Sequence, residues 1–231
     1  MNTAIIAGGG TGRRFGGSEC KQFVDINGKP LIYYAIYPFQ ESALFDDIIV
    51  VLPAGHTAAF KKDVLDKFRF DKVGKVITGG KDRQDSVFNA LNSVSAGTDL
   101  VAVHDAARPF VTGALIEKLV KSMDGHDGVI PGVKILQTVK QIDKASYVVK
   151  TLDRDFIVEI QTPQVFKYRV LKEAYENVIK KNIKVTDDSA AVELAKGKVK
   201  IIEGDHINRK ITYREDLDWM KVAVSGGVKL L

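Results

Sequence analysis

Thr3-Ala-Ile-Ile-Ala7 runs directly into Gly8-Gly-Gly-Thr-Gly12, with Arg13, Arg14 and Lys21 close behind. Glycine carries no side chain, so such a loop lets the backbone come close to a ligand. Cations placed immediately after it point to a polyanion, most economically the triphosphate of a nucleotide. A tight strand-to-helix turn with a solvated basic flank is the plainer reading of the same residues.

The spacing separates this loop from two familiar ones. A P-loop needs Gly-Lys followed by Ser or Thr. The Gly-Lys pairs at 28–29, 74–75, 80–81 and 197–198 are followed by Pro, Val, Asp and Val. A dinucleotide fingerprint needs a third glycine and an acid at the end of the second strand. Here Phe15 stands where the third glycine would be, and Ile48–Leu52 ends in Pro53-Ala54-Gly55.

Other chemistry-bearing residues also follow apolar runs. Gly79-Gly80 precedes Arg83 and Ser86, and Val101-Ala-Val leads into His104-Asp105-Ala-Ala-Arg108-Pro109. A carboxylate such as Asp105, at a strand's carboxyl end near a phosphate loop, could hold a magnesium ion against triphosphate oxygens. Pairing with Arg108 or capping the next helix is the alternative. His104 reads as an orienting or packed residue. A Ser86/His104/Asp hydrolase triad would lack the Gly-x-Ser-x-Gly elbow. Asp187-Asp188 reads as a helix N-cap, and Arg154 and Lys210, taken singly, as surface charge. The single Cys20 excludes an internal disulfide and a multi-cysteine zinc site.

The elements that must position these residues alternate. Short β-branched runs at Thr3–Ala7, Ile48–Leu52, Val73–Thr78, Leu100–Val103 and Gly128–Pro131 read as strands. Between them lie helical patterns at Leu31–Phe39, Ala58–Phe68 and Ser86–Val94. In the last, Val87, Ala90, Leu91 and Val94 recur at helical spacing. Alternation of this kind predicts an α/β fold, a mostly parallel Rossmann-like sheet with helices on both faces. Ligands then sit beyond the carboxyl ends of the strands. The rhythm breaks after Pro131, where Lys134–Ile142 and Tyr147–Leu152 read as a projecting β-hairpin arm, an insertion at about 133–153. Helices are expected again at Tyr168–Lys181, Asp188–Ala195 and Glu215–Val224, with a strand at Lys198–Glu203.

The 231 residues are 45% hydrophobic, which suits one globular domain over 1–231. The net charge of +5 is spread among acids without a long basic stripe, so neither nucleic acid nor a membrane is expected as a partner. The start of the chain does not read as a signal peptide, and no apolar stretch approaches a membrane span. The cytoplasm is the expected location.

Seven blocks occur in the order of a known family: Ala7-Gly-Gly-Gly-Thr-Gly-Arg-Arg14, Lys21-Gln-Phe23, Gly79-Gly-x-x-Arg83-x-x-Ser86-Val87, Val103-His-Asp-Ala-Ala-Arg-Pro109, Gln161-Thr-Pro-Gln164, Thr186-Asp-Asp188 and Lys210-Ile-Thr212. Together they resemble the 2-C-methyl-D-erythritol 4-phosphate cytidylyltransferases of the non-mevalonate isoprenoid pathway. A sister family, the ribitol-5-phosphate cytidylyltransferases of teichoic acid synthesis, shares much of the pattern. Ala-Gly-Gly at the loop start and Arg-Pro-Phe110 lean towards the sister, whereas His-Asp-Ala-Ala and Thr-Asp-Asp lean towards the isoprenoid enzyme.

The resemblance implies CTP and a polyol phosphate as substrates, Mg2+ as cofactor and a homodimer joined through the arm. Ala7, Gly8, Gly9, Gly10, Thr11, Gly12, Gly80, Lys81, Arg83, Ser86 and Ala106 would bind the nucleotide, and Asp105 would stand on the metal side. Arg14 and Lys21 would neutralise the triphosphate. Arg154, reaching in from the partner subunit, and Lys210 would hold the acceptor's phosphate, with Thr138 and Thr162 beside it. The chain departs from the family at Cys20, usually proline, at Gln137, usually aspartate, and at Arg209, usually small and apolar. A nicotinamide dehydrogenase and a non-catalytic nucleotide- or RNA-binding module are the readings from other classes.

Overall fold

The computed structural model describes residues 1–10, 15 and 20–225. Strand β1 (Asn2–Ala7) leads through a 3-10 turn at Lys21–Phe23 into a short hairpin, β2 (Asp25–Ile26) and β3 (Lys29–Pro30). Helix α1 (Leu31–Glu41) precedes β4 (Asp47–Leu52). Helix α2 (Thr57–Phe60), continued by a wider π-type turn over Lys61–Asp66, precedes β5 (Val73–Thr78). Next come α3 (Arg83–Leu91), β6 (Leu100–Asp105), α4 (Gly113–Lys121) and β7 (Gly128–Lys134). A separate ribbon, β8 (Val139–Ile142) and β9 (Val148–Leu152), follows. The rest is β10 (Val158–Ile160), β11 (Gln164–Lys167), α5 (Tyr168–Lys180), α6 (Asp188–Leu194), β12 (Val199–Glu203) and α7 (Arg214–Ser225).

Eight strands form one sheet in the order β10-β7-β11-β6-β1-β4-β5, with β12 pairing β7. The pairs β1/β4, β1/β6, β4/β5 and β12/β7 are parallel, while β10 and β11 run antiparallel to their neighbours. The central strands carry continuous apolar runs, Ala4–Ala7, Ile48–Leu52 and Leu100–Val103, because both of their faces are covered. Ile6, Val50 and Ala102 turn to one core with α1 and α4, and Ile5, Val51 and Val103 turn to the other with α3, α5 and α6. Successive side chains alternate across a strand, so one apolar run serves both layers. The expected mostly parallel α/β sheet is the observed one.

Register brings the strand ends together. Ala7 stands opposite both Val51 and Asp105, and Leu52 stands opposite Thr78. The glycine loop, the Gly79-Gly80 turn and Asp105 therefore share one rim.

Several boundaries differ from the periodicity. β6 runs to Asp105, so His104 and Asp105 belong to the strand and are not the loop after it. The expected 58–68 helix is a short α-helix followed by the π-type turn. The extended stretch 134–142 is divided, its first residue ending β7 and its last four forming β8. Helix α4 and the antiparallel β10 and β11 were not expected. α4 is only nine residues long and starts at Gly113, a weak helix former, although Thr112 caps it by accepting from Leu115 N at 3.2 Å. Among the described residues, no helix is long and apolar enough to cross a membrane.

Candidate active site

A cavity of about 590 Å³ opens on the rim, between the start of the glycine loop, the Gly80-Lys81 turn and the segment that ends with Lys210 and Thr212. Ala7, Gly8, Gly9, Gly10, Lys21, Gly80, Lys81, Arg83, Ser86, Asp105, Ala106 and Lys210 all line it. Thr11, Gly12 and Arg14 lie outside the described residues.

Close backbone contact shapes its floor. A Cβ on Gly9 would come within 2.8 Å of Ser86 Oγ and 3.2 Å of Gly79 Cα, and one on Gly79 within 2.9 Å of Gly9 Cα. Ser86 Oγ donates to Asp82 O at 2.7 Å and accepts from Gly80 N at 3.0 Å, pinning the turn to the first turn of α3. Gln22 Nε2 donates to Gly8 O at 2.8 Å and Gly10 O at 3.2 Å, which holds the loop from its far side. Lys21 Nζ donates to Ile211 O at 2.7 Å, across 190 positions of sequence. Lys21 is thereby held against the segment that carries Lys210, from the opposite end of the chain.

A second cavity, of about 460 Å³, lies between the Ile160–Gln164 segment, Thr186-Asp187 and Lys210. Arg83, Asp105 and Lys210 line both cavities and form the wall between them. Asp105 is buried; its Oδ1 accepts from Arg83 Nε at 2.9 Å and its Oδ2 from Lys210 Nζ at 2.5 Å. Burial opposes its ionisation, but the charges and hydrogen bonds of Arg83 and Lys210 outweigh that and hold the carboxyl well below the usual range. Its ion-pair partners are these two cations, in place of the Arg108 considered from sequence.

Arg108 is 94% removed from solvent, as its 6% relative exposure implies. It donates to Asn208 O at 2.8 Å and Ile160 O at 3.4 Å, and its Nε has no partner. Among the described residues no carboxylate pairs with it. A buried cation facing a cavity in this way suits an anionic ligand.

His104 is an orienting residue. Its Nε2 lies 3.0 Å from Arg108 O and so carries the proton, leaving Nδ1 to accept from the Thr162 hydroxyl at 3.0 Å. Thr162 Oγ1 in turn accepts from Asp105 N at 3.0 Å. Burial lowers the His104 pKa to about 4, so the ring is neutral near pH 7.

Three readings need correction or completion. Arg83 lines the nucleotide cavity, but Nε, Nη1 and Nη2 all donate to carboxylates, those of Asp105 and Asp188. Three of its five N–H groups are engaged in this way. Asp187 caps α6 by accepting from Ala190 N at 3.1 Å, whereas Asp188 is buried and paired. Thr138 and Arg154 line neither cavity of their own chain: Thr138 is exposed, and Arg154 donates to Leu136 O within the arm. Sequence reasoning missed Arg108 and Asp188 as site residues, although both stand inside the blocks quoted above. Cys20 Sγ lies 3.6 Å from His56 Nε2, and burial pushes its thiol pKa up, which leaves it unactivated.

A glycine-floored cationic cavity that meets a second cavity across one carboxylate, itself held between Arg83 and Lys210, is the site of an α/β nucleotidyltransferase. Comparison with known proteins narrows that class to a family. The family model for IspD, 2-C-methyl-D-erythritol 4-phosphate cytidylyltransferase, matches residues 2–225. A protein of that name from Clostridium perfringens is 44% identical over 214 residues, covering 93% of this chain and 94% of its own. Another, from Fusobacterium nucleatum, is 40% identical over 220 residues, covering 95% of each. Among solved structures, the 4-diphosphocytidyl-2C-methyl-D-erythritol synthase of Anaerococcus prevotii superposes with a TM-score of 0.85 at 28% identity, over 97% of this chain and 96% of that one. The 2-C-methyl-D-erythritol 4-phosphate cytidylyltransferase of Francisella tularensis gives 0.80 at 32% identity, over 95% and 97%. The chain belongs to the 2-C-methyl-D-erythritol 4-phosphate cytidylyltransferase family.

Proposed function

We propose that the protein transfers a cytidylyl group from CTP to 2-C-methyl-D-erythritol 4-phosphate, giving 4-diphosphocytidyl-2-C-methyl-D-erythritol and pyrophosphate. Family membership supports the substrates. The observation that carries the chemistry is that Lys210 and Asp105 stand where the two cavities meet, while Lys21 lines the first cavity and bonds to the carbonyl next to Lys210.

The acceptor's phosphate is largely dianionic near neutral pH, its second pKa being about 6, so its oxygen needs no general base. That oxygen attacks the α-phosphorus of CTP, a new P–O bond forms, and the bond to the β-phosphate breaks to release pyrophosphate. What opposes the step is one anion approaching another. Cations must screen the approach and hold oxygen and phosphorus in line. Ala7, Gly8, Gly9, Gly10, Thr11, Gly12, Gly80, Lys81, Ser86 and Ala106 hold the nucleotide in this reading. Arg14 and Lys21 meet its phosphates, and Lys210 and Thr162, joined by Arg108, face the acceptor.

Among the described residues no cluster of three His, Cys, Asp or Glu side chains could hold a metal by itself. One carboxylate with substrate phosphates is a usual setting for magnesium, and Asp105 fits it. A divalent cation, Mg2+ in our reading, would be held by Asp105 and would supply charge neutralisation at the triphosphate.

Thr138 and Arg154 would serve the acceptor side of a partner's site in a homodimer joined through the arm. Support comes from the arm's exposed apolar residues, Leu136, Ile142, Tyr147, Val148 and Val149, and from Phe156 just after it. The whole of 1–231 is read as one nucleotidyltransferase domain, the arm at about 133–153 as its insertion, and the cytoplasm as its location. The test is pyrophosphate release with CTP and magnesium, offering methylerythritol phosphate and ribitol phosphate side by side. Activity on ribitol phosphate alone would overturn the acceptor. Silence with both would overturn the reaction.

A further inference from the structure

Asp188 is fully buried at the start of α6, yet it is not that helix's cap. Its carboxylate accepts from Arg83 Nη1 at 3.0 Å and Nη2 at 2.7 Å, and from the Tyr175 hydroxyl at 2.5 Å. The Nε–H of the same guanidinium points the other way, to Asp105 Oδ1 at 2.9 Å. Arg83 is thus a rigid fork with one carboxylate at each end, and Asp105 at the far end separates the two cavities.

The segment bearing Asp188 is itself fixed to α3. Gln84 Nε2 donates to Ile183 O at 3.0 Å, Val185 N donates to Gln84 Oε1 at 3.0 Å, and Lys184 pairs with Asp82 at 2.7 Å. Tyr175 ties the carboxylate to α5, with its ring parallel to that of Phe88 at 6.5 Å. A planar guanidinium held bidentately has little freedom to rotate, so the Asp188 end dictates where the Asp105 end points. If Asp188 were lost, the fork could turn its two terminal N–H groups onto Asp105 and compete there with Lys210.

We infer that Asp188, steadied by Tyr175, is a positioning residue that acts through Arg83 to fix Asp105 and Lys210 between the nucleotide and the acceptor. The inference rests on the transferase reading above. Asp188 would touch neither substrate, and its effect belongs to the alignment of the reacting groups and not to the binding of CTP.

The test compares wild type with Asp188→Asn, Arg83→Lys and Tyr175→Phe in steady-state pyrophosphate release, with CTP affinity measured by calorimetry without magnesium, so that Asp105's hold on the metal does not enter it. Asp187 still caps α6 in Asp188→Asn, and Arg83→Lys keeps the charge while losing the fork. At least about tenfold loss of kcat, with the Kd for CTP held within about twofold, is expected in both. Tyr175→Phe removes one hydrogen bond without stranding a charge, so it should fold even if Asp188→Asn does not. A smaller kcat loss in the same direction is expected from it, again without a change in CTP affinity. Wild-type kcat in folded Tyr175→Phe and Arg83→Lys, or kcat and CTP affinity falling together, would overturn the inference and leave the reaction standing. An inactive wild type would overturn both.

Discussion

Lys21 and Lys210 lie far apart in sequence and reach one place, where their charge faces the phosphates in the proposed reaction. Replacing either by Ala should lower kcat/KM at least about a hundredfold, the scale of losing one preorganised donor to a developing charge. Steady-state kinetics with a matched melting curve checks this, and wild-type turnover would remove that lysine from the site. His104 supports a different prediction, because its protonation is linked to folding. Its pKa is lowered in the folded protein from 6.5 to about 4, so between those values the unfolded chain binds a proton that the folded one refuses. Its contribution is present above pH 6.5 and is lost as pH falls through that window, by up to about 3 kcal/mol. Urea denaturation at pH 7 and pH 5 should show the loss. His104→Gln should flatten the slope even though it lowers stability. The sequence singled out Lys21 by its place behind the glycine loop and His104 by its place after an apolar run, whereas Lys210, taken singly, read as surface charge. The Nε2–H tautomer is set by Arg108 O, four positions on, but the Thr162 hydroxyl on Nδ1 comes from 58 positions away, which no local pattern reports.

At the scale of elements, the site depends on two strand-to-helix turns touching backbone to backbone. A methyl group on Gly79 has nowhere to go, since Gly9 Cα would lie at 2.9 Å and Ser86 Oγ at 2.8 Å. Gly79→Ala should therefore force the two turns apart, at a cost of about 1–3 kcal/mol for overpacking. Calorimetry should find CTP binding weakened by about tenfold or more, each tenfold being 1.4 kcal/mol. Undiminished binding would show that the turns can part freely. The long amphipathic helices and buried central strands were legible because their periods are set by local geometry. Helix α4 was not, because it opens on Gly113, a weak helix former. Nor were β10 and β11, because Val158–Ile160 and Gln164–Lys167 are only three and four residues long and are strands by virtue of pairing with β6 and β7.

For the molecule as a whole, the net charge of +5 is modest and the cations that matter are gathered at one rim. A nucleotide that binds only the folded state should stabilise it by about 2.7 kcal/mol at a hundred times its Kd. For a chain of this size that is a rise in Tm of about 5–10 °C. CTP with magnesium should produce it in a thermal-shift experiment and NAD should not. A shift with NAD alone would favour the dehydrogenase reading. A non-catalytic RNA binder would instead show steep salt dependence and no pyrophosphate.

Taken by itself, the sequence determined the alternation of strands and helices, the rim on which ligands gather, and the polyanionic character of what binds there. Those properties follow from local periodicity, from glycine's missing side chain and from the sign of nearby charges. Only the tertiary structure decided which charges meet. Arg83 joins Asp105 to Asp188, Arg108 is buried with no carboxylate paired to it among the described residues, and Lys21 reaches the carbonyl beside Lys210. A charged side chain's partner depends on which distant segments pack beside it and which of its atoms lose water, and neither is recorded in the order of residues along the chain.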